Sequence, residues 1–305
     1  MKRGFISILF SMIAGTAFAC NVCGGSSSNQ SLGLLPLSEK HFAGLYSQFR
    51  YYTSQHEDHE AAGTGDGTSE EQYFTIQAFG RYSLSTRWQV YAFIPYHINN
   101  TTLDGGNEDV RGIGDITMMT TYQLITKDDC GPVLKHNLQI GGGIKAPTGS
   151  YSPTSTAEAT TTSMQAGTNS WDFMGSANYS LRKGKAGINA EVAYVLTTPN
   201  SISYKYGNKF NAALLGFVSL EKDKYVLLPM GGLRFESTAE DYENYRKGWI
   251  NHSSGGNVTY GTFGFQTFIK DIALMATYSV PLSQNIAGGA VTVKYKAEAA
   301  IQYLF

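Results

Sequence analysis

From Val291 to Phe305 the chain changes character at every step. Val291, Val293, Tyr295, Ala297, Ala299, Ile301, Tyr303 and Phe305 form one set, and Thr292, Lys294, Lys296, Glu298, Ala300, Gln302 and Leu304 the other. A period of two is the period of a β-strand, whose side chains point alternately to opposite faces. One face here is apolar along its whole length while the other carries charges. In a water-soluble sandwich that strand would expose a greasy stripe. A wall between lipid and a polar lumen satisfies both faces.

The same alternation recurs in eleven stretches upstream: 41–53, 73–85, 88–97, 113–124, 137–145, 170–181, 186–197, 209–220, 225–236, 258–268 and 272–280. Ile76, Ile94, Ile140, Val192 and Val293 fall on the expected lipid face, and Gln139 and Thr292 on the other. The connections alternate in length. Those at 85–87, 182–185, 221–224 and 270–271 are short, whereas 54–72, 99–112, 146–169, 237–257 and 282–289 are long. Outer-membrane barrels show this pattern of short periplasmic turns and longer extracellular loops. The expected fold is therefore all-β, a 12-stranded antiparallel transmembrane up-and-down β-barrel over residues 41–305, and the even strand count places both termini in the periplasm.

Composition agrees. Twenty Tyr and 16 Phe accompany a mean hydropathy of only −0.20, and past the leader no apolar run approaches the 18 or more residues of a spanning helix. The leader reads as a signal peptide over 1–19: Lys2 and Arg3, an apolar run from Phe5, then Ala17-Phe18-Ala19 as a small-x-small cleavage site. Without it the chain has a small negative net charge, which leaves no basic field for nucleic acid. Residues 20–40 form a flexible periplasmic segment, rich in Gly and Ser, that opens on Cys20-Asn21-Val22-Cys23. A disulfide between Cys20 and Cys23, lipidation of Cys20, a metal site and a redox dithiol all remain open for that pair. Cys130 is the third cysteine.

Twelve strands enclose more than side chains alone fill, but less than the pore of a sixteen-stranded porin. A narrow or gated channel is expected. Its lumen would be lined by the charged Arg50, Arg81, Asp115, Lys145, Asp172, Glu191, Arg234, Glu236, Lys294, Lys296 and Glu298, together with Tyr91, Phe93, Met119, Met174, Met230 and Met275. Mixed charge facing aromatic and thioether groups suits small amphipathic or apolar solutes. The plainer reading is that opposite charges cross-link the interior while methionine fills gaps.

Two motifs carry a resemblance. Gly112-Ile113-Gly114-Asp115-Ile116 leads into a strand, and Lys145-Ala146-Pro147-Thr148-Gly149-Ser150-Tyr151 leaves the next one. The chain resembles the outer-membrane family named for the MetA pathway of phenol degradation, related in shape to the long-chain fatty acid channels. The resemblance implies a barrel that passes hydrophobic or aromatic compounds, with no catalytic residue and no cofactor. The ending Tyr303-Leu304-Phe305 is also similar to the C-terminal signal that bacterial barrel-assembly machinery reads. It implies that partner for Tyr303 and Phe305, beside outer-membrane lipid and a small-molecule solute.

Two loops compete with this passive reading. His56 and His59, with Glu57, Asp58 and Glu60, have spacing that suits Cu, Zn or Ni, or they form a solvated polar loop. His252 and Ser254 are similar in spacing to the histidine and serine of outer-membrane phospholipase A, the alternative being a Gly/Ser/Asn turn. The functional expectation is an outer-membrane channel for passive passage of small hydrophobic or amphipathic molecules. Its alternative is a non-transporting barrel, either a hydrolase using His252 and Ser254 or a surface-display wall. The Ser/Thr-rich loop 146–169 suits a mobile surface or a lumen-folded constriction equally.

Overall fold

A computed structural model describes residues 40–56, 67–103, 106–125, 134–152, 164–222 and 225–305. The expected leader 1–19, the expected segment from Cys20 and Cys23 to residue 39, Cys130 and His59 lie outside the described residues, as does the side chain of His56. The strands are β1 Phe42–His56, β2 Gly67–Ser83, β3 Trp88–Leu103, β4 Gly106–Ile113, β5 Thr117–Ile125, β6 Leu134–Lys145, β7 Asp172–Lys183 and β8 Ala186–Thr197. They continue with β9 Lys209–Val218, β10 Leu220–Lys222, β11 Tyr225–Thr238, β12 Asp241–Asn244, β13 Trp249–Asn251, β14 Gly256–Ile269, β15 Ile272–Ile286 and β16 Val291–Leu304.

All pairings are antiparallel, and the sheet closes because β1 pairs with both β2 and β16. β4 and β5 together make one stave, pairing with successive parts of β3, and β9 with β10 makes another against β11. The result is a closed 12-stranded antiparallel barrel. β12 and β13 form a separate hairpin in the loop before β14. Both described ends of the chain meet at one rim, where Phe305 N donates to His41 O at 2.9 Å.

The alternation decides which side faces out. Leu45, Ile76, Ile94, Ile140, Val192, Leu214, Leu233, Phe263 and Ile301 are exposed outside, while Gln48, Gln77, Gln139, Asn178, Asn189, Gln266 and Gln302 are buried inside. This inverts a soluble protein and matches an apolar lipid belt around a polar interior. Outward aromatic rings mark two girdles. Tyr82, Trp88, Tyr303 and Phe305 ring the end that carries the termini, and Tyr96, Trp171, Tyr194 and Phe210 lie toward the long-loop end.

Three expectations need correction. First, the closing strand is not in one register. Tyr51 faces Tyr295 but Tyr52 faces Val293, so Lys294 is the extra residue of a β-bulge. The bulge flips the parity: Val291 and Val293 turn inward and are fully buried, and Lys294 is exposed, not inside the barrel. Second, β15 has its own bulge, where Thr259 faces Ser283 and Tyr260 faces Pro281, leaving Leu282 exposed outside. A bulge is where a strand tolerates proline, which has no N–H for the ladder. Between the two bulges β15 and β16 part after Ser279 and Lys296 and meet again at Ile286 and Val291. Gln284 bridges this gap, its Nε2 donating to Val293 O at 3.1 Å and its Oε1 accepting Val293 N at 2.7 Å. Third, the expected loops 99–112 and 282–289 are largely strand. β2 has 17 residues, against the roughly 9–11 that cross a bilayer. Backbone pairing needs no lipid, so the strands run on past the apolar belt.

Candidate functional site: the barrel interior

The interior is tiered along the barrel axis. At the rim with the termini, Phe42, Tyr91, Phe93, Met119, Ala273 and Leu304 form an apolar cluster, with Phe79 and Met174 packed on it. Phe42 meets Phe79 edge-on at 5.4 Å, Tyr91 and Phe93 stack at 6.2 Å, and the Arg81 guanidinium lies 4.8 Å from the Phe42 ring centroid. The neighbouring sector holds Leu215, Phe217, Leu228 and Met230.

Above it sits a charged tier. Lys296, wholly buried, donates to Glu236 at 2.8 Å and lies 3.3 Å from Glu298. Arg50 approaches Glu236 and Arg234 approaches Glu298, each at 3.7 Å. Glu298 also accepts Tyr46 Oη at 2.5 Å, Gln48 Nε2 at 3.1 Å and Thr277 Oγ1 at 3.0 Å. Five charges from β1, β11 and β16 thus cross-link the lumen, as strict alternation on these strands leads one to expect. Burying such charges is costly unless each is paired and hydrogen-bonded.

A second ionic cluster closes the loop end on the opposite wall. Lys145 Nζ is 2.6 Å from Asp172, 3.3 Å from Asp115 and 2.7 Å from Thr168 Oγ1. Asp115 accepts from Gly149 N at 2.9 Å, Thr168 N at 2.9 Å and Thr168 Oγ1 at 2.6 Å. This is where the two sequence motifs converge. Gly114 packs on His97, and Gly149 lies against Gly167 so closely that a Cβ on either would come within 2.9 Å of the other's backbone. Thr148 Oγ1 accepts from Ile116 N at 2.9 Å across the break between β4 and β5.

That contact explains the long loop 146–169, whose described end folds into the lumen. Residues 164–168 are buried. Met164 O accepts from Asn99 Nδ2 at 2.8 Å, and its side chain joins Tyr52, Tyr73, Val258, Tyr260, Ile286, Val291 and Val293 in a third, apolar tier. Sequence reasoning missed Met164 and Thr168. The Ser/Thr-rich composition of the loop concealed one apolar anchor and one buried hydroxyl.

Of the expected lumen residues, Arg50, Arg81, Tyr91, Phe93, Asp115, Met119, Lys145, Asp172, Glu191, Met230, Arg234, Met275, Lys296 and Glu298 are buried, and Met174 and Glu236 half-buried. Charge and aromatic groups separate into levels rather than onto opposing walls. His252 and Ser254 do not meet as base and nucleophile: His252 Nδ1 lies 3.1 Å from Glu240, whereas Ser254 Oγ donates to Asn251 O at 2.6 Å and accepts from Asp241 N at 2.8 Å. Ser254 shapes a turn. In the same loop Asp241 accepts Tyr204 Oη and Gly207 N, each at 2.6 Å, and burial raises its carboxyl pKa from its ordinary value. Among the described residues no group of three or more His, Cys, Asp or Glu is placed to hold a metal ion.

The fold is similar to that of a crystallised outer-membrane channel from Pseudomonas putida F1, with a TM-score of 0.63 at 14% identity over 89% of this chain and 97% of that one. Looser likenesses reach the β-domain of the Bordetella autotransporter BrkA (TM-score 0.47, 12% identity, 88% and 100% covered) and a Pseudomonas aeruginosa FadL homologue (0.43, 10%, 87% and 90%). No curated protein matches by sequence. A family model described as "Putative MetA-pathway of phenol degradation" matches residues 53–223, more than half of the chain and including both motifs around Asp115, so the chain belongs to that family.

Proposed function

We infer that this protein is an outer-membrane channel for passive passage of small hydrophobic or amphipathic molecules. The reading rests on one observation: the interior alternates apolar, charged and apolar tiers instead of presenting one hydrated, uniformly polar surface. A porin for sugars or ions has no use for Phe42, Tyr91 and Phe93 at one level and Tyr52, Tyr260 and Met164 at another. A solute with both an apolar body and a polar group finds a partner at each level. On this reading the leader 1–19 is removed, the segment 20–40 lies in the periplasm, and exposed Tyr303 and Phe305 present the closing strand to the assembly machinery.

The test is transport. Purified protein in lipid vesicles is expected to admit benzyl alcohol or phenol faster than protein-free vesicles do, and slowly or not at all to admit glucose. Faster glucose than phenol entry contradicts the reading. A folded barrel that passes none of these solutes supports a surface-display wall instead.

A further inference from the structure

The rim that carries the termini is charged unevenly around its circumference. From β6 to β10 the cations Lys135, Arg182, Lys183, Lys185 and Lys222 meet a single carboxylate, Glu221. Strand pairing holds them in one sector. Lys135 faces Arg182 and Leu134 faces Lys183 across β6 and β7, Lys183 faces Ala186 on β8, and Ser219 N, between β9 and β10, donates to Lys185 O at 2.6 Å. Arg182 Nη2 reaches past β8 to Glu221 at 2.6 Å and neutralises that acid. Lys135, Lys183, Lys185 and Lys222 are exposed, and among the described residues Lys183, Lys185 and Lys222 have no acid paired with them.

The surplus is local. The chain as a whole has a net charge of −1, and its long connection between β1 and β2 holds Glu57, Asp58, Glu60 and Asp66 with no Lys or Arg. The connections that flank the basic sector add Lys127 and Lys224 against Asp128, Asp129 and Asp223, which leaves its excess of positive charge in place. The outer wall beside the cations is apolar. Leu134, Ile188, Val218, Leu220 and Tyr225 are exposed there, on β6, β8, β9, β10 and β11, so the apolar strip spans the same sector as the charges. Lysines at the edge of a lipid belt lay their methylene stems along it and put their ammonium groups at head-group depth. A lipid phosphate reaches them there while its acyl chains cover the wall. A zwitterionic head group brings an ammonium of its own, so a surplus of lysine selects a head group with net negative charge.

We propose that this sector binds anionic phospholipids, the phosphate at Lys183, Lys185 and Lys222 with Lys135 beside them, and the acyl chains along Leu134, Val218 and Leu220. The inference concerns the outer wall and holds whichever solute the lumen admits.

Native mass spectrometry of the full-length barrel, released from detergent containing equal amounts of phosphatidylglycerol and phosphatidylethanolamine with the same acyl chains, reads the preference. Phosphatidylglycerol is expected to be retained at least about tenfold more, since each Lys beside an anionic lipid surface contributes roughly a factor of five. Lys183→Gln/Lys185→Gln/Lys222→Gln is expected to bring the ratio close to one, and Lys183→Arg/Lys185→Arg/Lys222→Arg to keep it. All three positions are exposed, so both variants are expected to show the heat-modifiable gel shift of the folded barrel. Arg246→Gln/Lys247→Gln removes exposed cations from the loop end and is expected to leave the ratio unchanged. Equal retention of the two lipids, an unchanged ratio in the Gln triple variant, or an equal fall in the loop-end variant overturns the proposal. So does displacement of phosphatidylglycerol by an equal concentration of glycerol 3-phosphate, which would make the sector a site for a soluble phosphate and not for a lipid.

Discussion

Replacing Lys296 by Met tests how the lumen is held. The ammonium is wholly buried, 2.8 Å from Glu236 and 3.3 Å from Glu298. After its removal the charges balance, two arginines against two glutamates, so bulk electrostatics alone predicts little harm. Geometry predicts otherwise. Glu298 retains Tyr46, Gln48 and Thr277, whereas Glu236 retains only Arg50 at 3.7 Å and loses its short hydrogen bond. Breaking a buried pair by deleting one partner costs about 3–5 kcal/mol. Glu236→Gln is expected to cost less, about 1–3 kcal/mol, because Lys296 keeps Glu298. The double variant removes both ends of one contact and is expected to fall short of the sum by about 0.5–3 kcal/mol. Urea unfolding in lipid vesicles, followed by tryptophan fluorescence and the heat-modifiable gel shift, measures all three. Additive costs, or a Lys296→Met penalty below about 1 kcal/mol, would show that the charged tier is loosely hydrated and not cross-linked, and the reasoning would fall.

Asp115→Ala is expected to free residues 164–168 from the lumen, because Asp115 takes both the amide and the hydroxyl of Thr168; single-channel conductance and its noise are expected to rise, and unchanged traces contradict a constriction there. Ile140→Arg is expected to destabilise the barrel by about 2–4 kcal/mol if Ile140 lies near the bilayer midplane, and an unfolding midpoint equal to wild type removes it from the lipid face. In a background with Cys20, Cys23 and Cys130 replaced by Ser, a cysteine at 294 is expected to react rapidly with a bulky water-soluble maleimide while one at 293 stays protected, and the opposite order would restore an unbulged strand. Asp241 has a raised carboxyl pKa in the folded loop, so its contribution is fully present below the unfolded value near 3.8 and lost as pH rises through the folded value. Hydrogen exchange in 241–251, corrected for intrinsic rates, is therefore expected to show greater protection at pH 4 than at pH 7, with the difference shrinking in Asp241→Asn.

The barrel was legible because two independent patterns agree. Alternation assigns the faces of each strand, and the lengths of the connections assign the ends. Arg50, Arg234, Lys296 and Glu298 are readable for the same reason: where a strand faces lipid, a charge belongs on its other face, whereas Lys294 at the bulge stands outside. The motifs around Gly114 and Gly149 mark a place without giving its purpose. Gly149 answers to the backbones of Gly114 and Gly167, and Gly114 to the His97 ring, partners distant in sequence, and no local pattern announces such approaches. Thr168 and Met164 are hidden similarly, since nothing in a Ser/Thr-rich loop distinguishes the hydroxyl that meets a buried aspartate from those that meet water.

The errors of face have a common location, and it has a physical reason. A bulge changes parity without changing the alternation of the sequence, so Val291 and Val293 look lipid-facing by count. In the structure the bulge at Lys294 turns them inward, and the bulge at Leu282 allows Ile286 to point the same way. All three join Met164 in the loop-end apolar tier. Strands in perfect register would send those side chains out toward the headgroups and leave Met164 a polar surface to rest on. The inserted residues are themselves suited to the outside: Lys294 to a wet rim, Leu282 to lipid. The irregularities that defeat the counting rule are thus what build the apolar tier against which Met164 packs at the loop end.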